Sequence, residues 1–298
     1  MFNLFVSVII PVFNDSESLK TCLAALESQT YPKNLYEVIV VDNGSDEDIE
    51  GVISQFSQAL ITYESYPGSY AARNKGISLA QGDIIGFTDA DCIPAFDWIE
   101  KGVANLLRMP KCGLVAGKIE VFCRNPAQPT AVELYENIRA FPQKEYLKNY
   151  RFGATANLWT FRSIIDDVDF FDPTLKSGGD VEWGERVFAA GYKQIYADDT
   201  CVAHPARGSW AQLCKKMIRR VGGEYDRKRK KGYSWKEFII DIAKDLKPPL
   251  KSIYKVVLDK KISKIHQKIL VSFLLFFVRY VKAIERTRLQ LGGISQRG

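Results

Sequence analysis

The first third of the chain alternates short apolar runs with segments whose apolar residues recur at helical spacing. Residues 6–13, 37–42 and 83–88 are nearly continuous apolar runs, which is typical of buried strands. Residues 61–64 form a shorter candidate strand, and segments such as 15–29 carry leucines at helical spacing. This alternation predicts right-handed βαβ crossovers. The expected fold class is α/β, with a single mixed, mainly parallel sheet flanked by helices.

In such a sheet, ligands bind beyond the carboxyl ends of the strands. Those ends carry Phe13-Asn14-Asp15, Asp42-Asn43-Gly44-Ser45 and Thr88-Asp89-Ala90-Asp91. Polar and acidic side chains therefore gather at one edge of the predicted sheet. We expect a binding site at that edge.

The second half of the chain has a less regular pattern. Helical spacing recurs near residues 98–108, 131–141 and 181–190, and strand-like stretches lie near 113–122 and 194–197. From Ser209 onward the pattern is helical and basic. We expect a catalytic domain over 1–208, with a nucleotide-binding half (1–97) and an acceptor and catalytic-base half (98–208). Residues 209–298 are expected to form a basic helical extension.

The chain has 298 residues and a formal net charge of +6. Lys and Arg are concentrated between Lys215 and Lys231, a run typical of a solvated helix face, of diphosphate contact, or of contact with anionic lipid headgroups. No nucleic-acid-binding motif accompanies this charge, so nucleic acid is not expected as a partner. The longest apolar run, residues 269–278, is shorter than the ~20 residues that a transmembrane helix needs.

The cysteines and the N-terminus indicate a compartment. The six cysteines form no CxxC pair, which predicts free thiols in a reducing environment. Residues 1–12 have no basic start and their apolar run ends at Pro11, so no secretory signal is expected. We expect a cytoplasmic protein whose basic, partly apolar tail can contact the inner face of the cell membrane.

Asp89 and Asp91 carry the strongest chemical signal. Two carboxylates one residue apart, at the end of a buried strand, can share Mg²⁺ or Mn²⁺, which take oxygen ligands and often substrate phosphates. Such a cation would neutralise charge that develops on a diphosphate leaving group. A D-x-D pair also occurs in ordinary acidic turns, but its position after the 83–88 strand favours a metal site. His204 is a further candidate ligand.

Three other motifs have both a structural and a functional interpretation. Asp42-Asn43-Gly44 is a typical strand-ending turn, and Asp42 can also accept hydrogen bonds from a base or ribose. Arg73-Asn74 lies on a predicted helix, either as a solvated face or near a phosphate. Asp180 is either a helix N-cap or a general base that deprotonates an acceptor hydroxyl. Glu182 is the alternative base, or a first-turn acid favoured by the helix dipole.

Taken in order, these motifs resemble glycosyltransferase family 2, with the type-A nucleotide-diphospho-sugar transferase (GT-A) fold. Residues 8–14 (Val-Ile-Ile-Pro-Val-Phe-Asn) are similar to the family's first strand and its donor-contacting end. Residues 40–46 resemble the uracil-contacting turn, and residues 72–76 with Gly82-Asp83 resemble the approach to the D-x-D pair. The resemblance is strongest over residues 6–94 and continues more loosely to about 206.

The resemblance implies a set of site residues. It implies a divalent cation, Mn²⁺ or Mg²⁺, held by Asp89, Asp91 and His204, and a UDP-sugar as donor. It implies Asp180 as base, with Glu182 in contention because Gly179 stands where many members have Glu. Residues 153–157 resemble the segment that lines the sugar and acceptor pocket, which implies acceptor contacts from Asn157, Trp159 and Trp183. The implied donor contacts are Pro11, Phe13, Asn14, Asp42, Asn43, Gly44, Arg73, Asn74, Asp89, Ala90 and Asp91.

The resemblance also implies a reaction. Asp180 would remove the acceptor proton while the metal stabilises the departing diphosphate, and one displacement inverts the anomeric carbon. A Gln-x-x-Arg-Trp motif, typical of processive members, is absent from the sequence, which favours single-sugar transfer. The expected acceptor is a glycan, a lipid-linked molecule or a small molecule in glycan, polysaccharide or glycolipid biosynthesis.

Other classes of protein fit the sequence less well. A nucleotidyltransferase would show a Gly-rich, basic phosphate loop after the first strand, whereas residues 14–17 read Asn-Asp-Ser-Glu. A dinucleotide-dependent oxidoreductase needs a G-x-G-x-x-G turn there, and the sequence has none. A non-catalytic protein that binds sugar nucleotides or a membrane surface remains an alternative. The presence of Asp89, Asp91 and Asp180 together argues against it.

Overall fold

The computed structural model describes residues 4–259, 262 and 264–297. This description leaves out residues 1–3 of the predicted catalytic domain and residues 260, 261, 263 and 298 of the predicted helical extension. The structure divides into two compact units. The first is Met1–Glu120, Phe141–Thr174 and Gly179–His204. The second is Val121–Ala140, Leu175–Gly178 and Pro205–Gly298, so two short segments before residue 208 belong with the C-terminal helices.

The described residues form one eight-stranded sheet. Its strands are β1 (Val6–Val12), β2 (Tyr36–Asp42), β3 (Ala59–Tyr63), β4 (Ile84–Thr88), β5 (Ile93–Pro94), β6 (Cys112–Phe122), β7 (Asn157–Phe161) and β8 (Lys193–Pro205). They lie in the order β3-β2-β1-β4-β7-β6-β8-β5.

The helices of the described residues follow the same order along the chain. They are α1 (Ser16–Glu27), α2 (Ile49–Ile53), α3 (Ser69–Leu79), α4 (Trp98–Leu107), α5 (Ala131–Arg139), α6 (Gln143–Tyr150), α7 (Arg162–Val168), α8 (Gly179–Ala189), α9 (Trp210–Lys230), α10 (Trp235–Leu246), α11 (Leu250–Leu258) and α12 (Ile265–Gln290). The predicted mixed sheet with flanking helices and a C-terminal helical region is therefore confirmed.

The half of the sheet that starts the chain is parallel. β1 pairs with β2 on one side and β4 on the other, and β2 pairs with β3, all in parallel. β2 is buried along its whole length, as expected for a strand covered on both faces. α1 closes one face by burying Leu19, Cys22, Leu23 and Leu26 at helical spacing. The carboxyl ends of β1, β2 and β4 consequently meet at one edge.

The other half of the sheet differs from the sequence-based expectation. β7 pairs antiparallel with β4 and with β6, and it was not predicted as a strand. Its five residues are too few to show a period, and four of them are buried. β8 extends to Pro205, so His204 lies within this strand instead of following it. α6 and α7 were also missed, because α6 is polar and α7 is short.

The second unit is a helical body with its own core. Leu213 and Met217 of α9 pack with Val271, Leu274 and Val278 of α12. α9 and α10 both begin with a capping box, formed by Ser209 with Gln212 and by Ser234 with Glu237, which satisfies the first free backbone N–H groups. Among the described residues, none of the helices combines the length and apolar character that crossing a bilayer requires.

Candidate active site

One face of α3 organises the site. Tyr70, Arg73 and Asn74 are spaced by three and four residues, so their side chains leave the helix on the same side. Tyr70 contacts Asp180 of α8, Arg73 binds Asp89 at the end of β4, and Asn74 binds the backbone of Phe171. A single helix face thus contacts three separate segments. α3 also packs closely on the sheet at Gly76, where an added Cβ would lie 2.6 Å from Ile9.

Asp89 is held by a buried guanidinium. Arg73 is buried, and its Nη2 lies 2.5 Å from Oδ1 of Asp89, whose side chain is partly exposed. Nη1 of Arg73 donates to the carbonyl of Ser69 at 3.3 Å. Arg73 therefore orients Asp89 in this structure and is not a free phosphate contact. The expected direct donor contact from Arg73 stays a prediction, since Asp89 competes for the same group.

Asp91, Cys92 and His204 bring their ligand atoms together. One carboxylate oxygen, the thiol sulfur and one imidazole nitrogen all lie within 4.8 Å of one another. Nε2 of His204 is 3.4 Å from Oδ2 of Asp91, although the two residues are far apart in sequence. The ring of Phe141 packs on the imidazole with 4.7 Å between centroids. The sequence-based pairing of His204 with Asp91 thus corresponds to a short distance in the fold.

The chemistry of these donors decides which of them fit a cation. Burial raises the pKa of Cys92, and the neighbouring Asp89 and Asp91 raise it further, which favours the protonated thiol while no cation is bound. Its sulfur also donates to the carbonyl of Ala156. The remaining donors are an oxygen of the partly exposed Asp91 and a nitrogen of the buried His204. This pair fits a divalent cation that accepts both carboxylate and imidazole. Asp89 lies outside the cluster while it pairs with Arg73.

Asp180 lies in the first turn of α8, where the helix dipole favours a carboxylate. Its Oδ1 accepts from the backbone N–H of Val181 at 3.0 Å, and the hydroxyl of Tyr70 is 3.4 Å away. The ring of Tyr70 lies against Gly179, where an added Cβ would be 2.9 Å from three ring carbons. Glycine is required before Asp180, because the Tyr70 ring occupies the space that a side chain at position 179 would need.

Glu182 is engaged in a different interaction. Both of its carboxylate oxygens accept from Arg186, at 2.8 and 3.0 Å. Arg186 also donates to the backbone carbonyls of Val168, Asp169 and Phe170. Such a two-pronged ion pair stabilises the charged carboxylate and orients it toward the arginine. The structure therefore favours Asp180 over Glu182 as the candidate base.

The turn after β2 is built as the sequence predicted. Oδ1 of the buried Asp42 accepts from the N–H of Ser45 at 3.0 Å, and Gly44 has a φ of +89°. Asn43 ties this turn to the loop before α3, since it donates to the carbonyls of Glu64 and Tyr66 and accepts from Gly68. The amide groups of Asn43 are thus used within the protein.

Asn14 and its neighbours border the same turn. Asn14 has a φ of +49°. Its side-chain oxygen accepts from the N–H of Asp46 at 2.8 Å, and its backbone N–H donates to Oγ of Ser45. Phe13 is largely exposed beside it, whereas Pro11 is half-buried and Ala90 is buried. Phe13 and Asn14 are the exposed residues of this group and are open to a ligand. The donor-contact roles of these residues remain predictions.

The three residues expected to contact the acceptor lie in the core. Asn157, Trp159 and Trp183 have no exposed surface. Trp159 is wedged against glycines, since an added Cβ at Gly102 would lie 2.3 Å from its ring. Trp183 donates to the carbonyl of Asp169. Direct contact of these residues with the acceptor stays a prediction, which their burial in this structure does not favour.

Asn157 instead supports, from within the core, the strand end that carries Asp89 and Asp91. Its Oδ1 accepts from Nε1 of Trp98 at 2.9 Å, and its Nδ2 donates to the carbonyls of Lys118 and Thr200. The carbonyl of Ala156, the preceding residue, accepts from Thr88 at the end of β4. β7 therefore fixes the strand end from which the two aspartates project.

A family model described as Glycosyl transferase family 2 matches residues 7–169, more than half of the chain. The chain belongs to glycosyltransferase family 2. It is similar to the glycosyltransferase AglE of Haloferax volcanii, with 41% identity over 220 residues that cover 72% of this chain and 71% of AglE. As a member of this family the chain is a glycosyltransferase, an enzyme of glycan biosynthesis.

Two further proteins show how this glycosyltransferase compares. A Methanococcus voltae enzyme, named as a dolichyl N-acetyl-alpha-D-glucosaminyl phosphate 3-beta-D-2,3-diacetamido-2,3-dideoxy-beta-D-glucuronosyltransferase, is 25% identical over 228 residues, covering 72% of this chain and 71% of that enzyme. The structure of mannosyltransferase PcManGT from Pyrobaculum calidifontis, in complex with GDP-Man and Mn²⁺, superposes with a TM-score of 0.66. It is 17% identical and covers 98% of this chain and 88% of that one, which shows a shared fold.

The sequence patterns did not predict a role for two residues near the candidate site of this glycosyltransferase. Tyr70 contacts Asp180 across a large sequence separation, and no local pattern predicts such a contact. Arg186 could have been found, because it follows Glu182 by four residues, the spacing of a helical ion pair. That spacing alone would have lowered the case for Glu182 as base.

Replacing Gly179 by Ala tests the packing of Tyr70 against α8. A methyl group would meet the Tyr70 ring at 2.9 Å, so we expect overpacking to lower the free energy of unfolding by about 1–3 kcal/mol. Urea unfolding measures this change. Gly208→Ala is the control, since nothing lies within 4 Å of its added Cβ. Equal stability of the two variants would contradict the close packing.

Replacing His204 by Gln tests the cation-binding pair. The chain has only two histidines, so His266→Gln, at an exposed position, is a matched control. We expect His204→Gln to weaken Mn²⁺ binding about 10-fold or more in the presence of UDP, because an amide oxygen replaces the imidazole nitrogen donor. Electron paramagnetic resonance of free Mn²⁺ measures it. Unchanged Mn²⁺ affinity in His204→Gln would remove His204 from the ligand set.

Proposed function

We propose that this glycosyltransferase moves one sugar from a nucleotide-diphosphate sugar to an acceptor hydroxyl, with inversion at the anomeric carbon. One observation carries the proposal. A single face of α3 contacts both Asp89, beside the candidate cation ligands, and Asp180, the candidate base. A leaving diphosphate and an attacking hydroxyl need these two functions on either side of one carbon. The helix face provides a rigid connection between them.

The candidate ligands favour a metal-assisted reaction. We propose that Asp91 and His204 hold a divalent cation and that Asp89, on the same strand end, contributes to binding it. An imidazole donor favours Mn²⁺ over Mg²⁺, since Mg²⁺ is bound mainly through oxygen. When bound, the cation supplies positive charge to the departing diphosphate. The presence of Mn²⁺ with GDP-Man in the PcManGT structure supports this choice of cation.

Asp180 is the proposed general base. Its carboxylate lies at the start of α8 and is partly exposed, so an acceptor hydroxyl can approach it. A hydroxyl within hydrogen-bond distance would transfer its proton to Asp180 as its oxygen attacks the sugar. The contact with Tyr70 and the N–H of Val181 restrict the orientation of the carboxylate. Glu182 cannot replace it without breaking the pair with Arg186.

We propose a UDP-sugar as donor, with Asp42 and the exposed ring of Phe13 beside the base. Asp42 retains a second carboxylate oxygen next to the turn that Asn43 and Gly44 form. The GDP-Man in the PcManGT structure makes GDP the alternative to be tested. For the acceptor we propose a lipid-linked glycan, which the name of the Methanococcus voltae relative supports.

The cysteines bear on where the reaction takes place. All six are free thiols, and Cys22, Cys92 and Cys112 are buried. Free thiols persist in a reducing compartment, and structural disulfides are common in secreted proteins. We propose that transfer occurs in the cytoplasm, at the inner face of the cell membrane.

Asp180→Asn tests the proposed reaction. The amide keeps the shape of the side chain but cannot accept the acceptor proton, so we expect transfer to fall about 10²- to 10⁴-fold. The release of UDP or GDP from a panel of nucleotide sugars, with Mn²⁺ and isolated lipid-linked glycans, measures the rate. Donor binding is expected to remain.

Glu182→Gln is the matched control for this experiment, because it changes a neighbouring carboxylate in the same helix turn. We expect it to lower stability through the loss of the Arg186 pair and to leave most of the activity. If Asp180→Asn kept full activity while Glu182→Gln lost it, the assignment of the base would be reversed. If the wild-type protein bound nucleotide sugars without releasing any diphosphate, the non-catalytic alternative would be correct.

A further inference from the structure

The helices of the second unit have an unusual distribution of polarity, and α10 shows it most clearly. Its buried residues are Asp241 and Asp245. Trp235, Ile239 and Leu246 are each more than half exposed. At about 100° per residue these three lie within about 40° of one another, about 120° around the helix from the two aspartates. α10 thus reverses the usual arrangement, in which a surface helix buries its apolar stripe.

The buried aspartates are used inside the unit. Asp241 pairs with Lys228 and accepts from the hydroxyl of Tyr233. Burial alone would raise the pKa of Asp241, but the hydrogen bonds from Lys228 and Tyr233 outweigh it and lower that pKa to about 2. Asp245 pairs with Lys282 at 2.7 Å and with Arg286 at 3.0 Å. These pairs compensate the buried carboxylates, and the apolar side of α10 is left facing outward.

α12 has an apolar stripe on each of two opposite sides. Its inner stripe contributes Val271, Leu274 and Val278 to the core of the unit. A second stripe runs along the outside at helical spacing, within an arc of about 100°. Its members are each more than half exposed: Ile265, Ile269, Phe273, Tyr280 and Ile284. The core therefore does not account for this outer stripe.

α11 repeats the pattern on a smaller scale. Leu250, Tyr254 and Leu258 are each more than half exposed, and Val256 is the buried residue of this helix. Lys251 and Lys255 are exposed beside the apolar side chains. Three consecutive helices thus present apolar side chains to the outside. α12 contacts both α10 and α11, so the three helices belong to one packed body. A large apolar patch on the surface of a monomeric protein often marks an interaction site.

The charge of the same segment indicates which partner fits. Residues 235–284 contain eleven Lys and Arg but only four Asp and Glu. Two of these four acids are Asp241 and Asp245, which are already buried in ion pairs. Lys244 and Lys282 pair with these two acids, which leaves nine Lys and Arg against two acids in the segment, a positive balance. A second copy of this chain would bring the same positive charge and repel it, whereas anionic lipid headgroups are complementary.

We propose that the exposed apolar faces of α10, α11 and α12 form an interfacial surface that inserts into the headgroup region of an anionic bilayer. Lysines beside the stripes would contact lipid phosphates while Trp, Tyr and Ile enter the boundary of the acyl chains. Each basic residue near an anionic surface increases partitioning about fivefold at low salt. The proposal concerns binding of the second unit alone and does not depend on the proposed reaction.

Sedimentation with lipid vesicles tests the interfacial surface. The full chain is mixed with vesicles of phosphatidylcholine alone or with phosphatidylglycerol added, at low and at physiological salt. We expect binding to the anionic vesicles that weakens with salt. The apolar variant Ile239→Ser/Ile269→Ser and the charge variant Lys251→Glu/Lys255→Glu should each bind about tenfold or more weakly. Leu60→Ser/Tyr63→Ser is the control, since it removes exposed apolar residues from β3 in the first unit.

Three results would overturn the proposal: no sedimentation of the wild-type chain, equal binding of all variants, or equal binding to neutral vesicles. Light scattering of the protein without vesicles tests the other possible partner, a second copy of this chain. A dimer that the apolar variant abolishes, without vesicle binding, would assign the surface to a second copy. Release of the nucleoside diphosphate in solution should be unchanged in these variants. A failure of the membrane-binding proposal is therefore distinguishable from a failure of the proposed reaction.

Discussion

The candidate active site depends on one constraint, the attachment of a single face of α3 to three separate segments. Arg73 holds Asp89, Tyr70 packs on Gly179 beside Asp180, and Asn74 binds the backbone of Phe171. Each of these segments comes from a different part of the chain. This face contacts both the strand end that carries Asp89 and the start of α8, and so helps to fix their relative positions. The buried ion pair between Arg73 and Asp89 is the most demanding of the three contacts, because an unpaired buried guanidinium is costly.

Sequence patterns predicted the parts of the fold that have strong local signals. β1, β2 and β4 are mostly apolar and almost entirely buried, and the turn after β2 contains the asparagine and glycine that such turns favour. β7 was missed because a strand of five residues, four of them buried, shows no period. Trp159 and Trp183 illustrate a second limit. An aromatic side chain near a site can either pack in the core or contact a ligand. The sequence does not distinguish these two roles, and the packing in the structure does.

Local signals also decide which site residues could be predicted. Asp89 and Asp91 are separated by one residue in sequence, and their position after β4 is a local feature. Asp91 and His204 are far apart in sequence and meet because β5 pairs with β8, a contact that residue spacing could not predict. Tyr70 had no signal at all. In the second unit, the exposed stripe of α12 is hidden in the sequence, because a helix that is apolar on two sides resembles a buried one.

The central claim is that the edge formed by β1, β2 and β4 binds a nucleotide diphosphate together with a cation. Thermal unfolding with UDP, GDP or dTDP, each with Mn²⁺, Mg²⁺ or a chelator, tests it most directly. Ligand at about 100 times its dissociation constant adds about 2.7 kcal/mol to the stability of the folded state. We predict a shift of several degrees with one nucleotide and Mn²⁺ that Asp91→Asn removes. No shift with any nucleotide, or an equal shift in Asp91→Asn, would contradict the account.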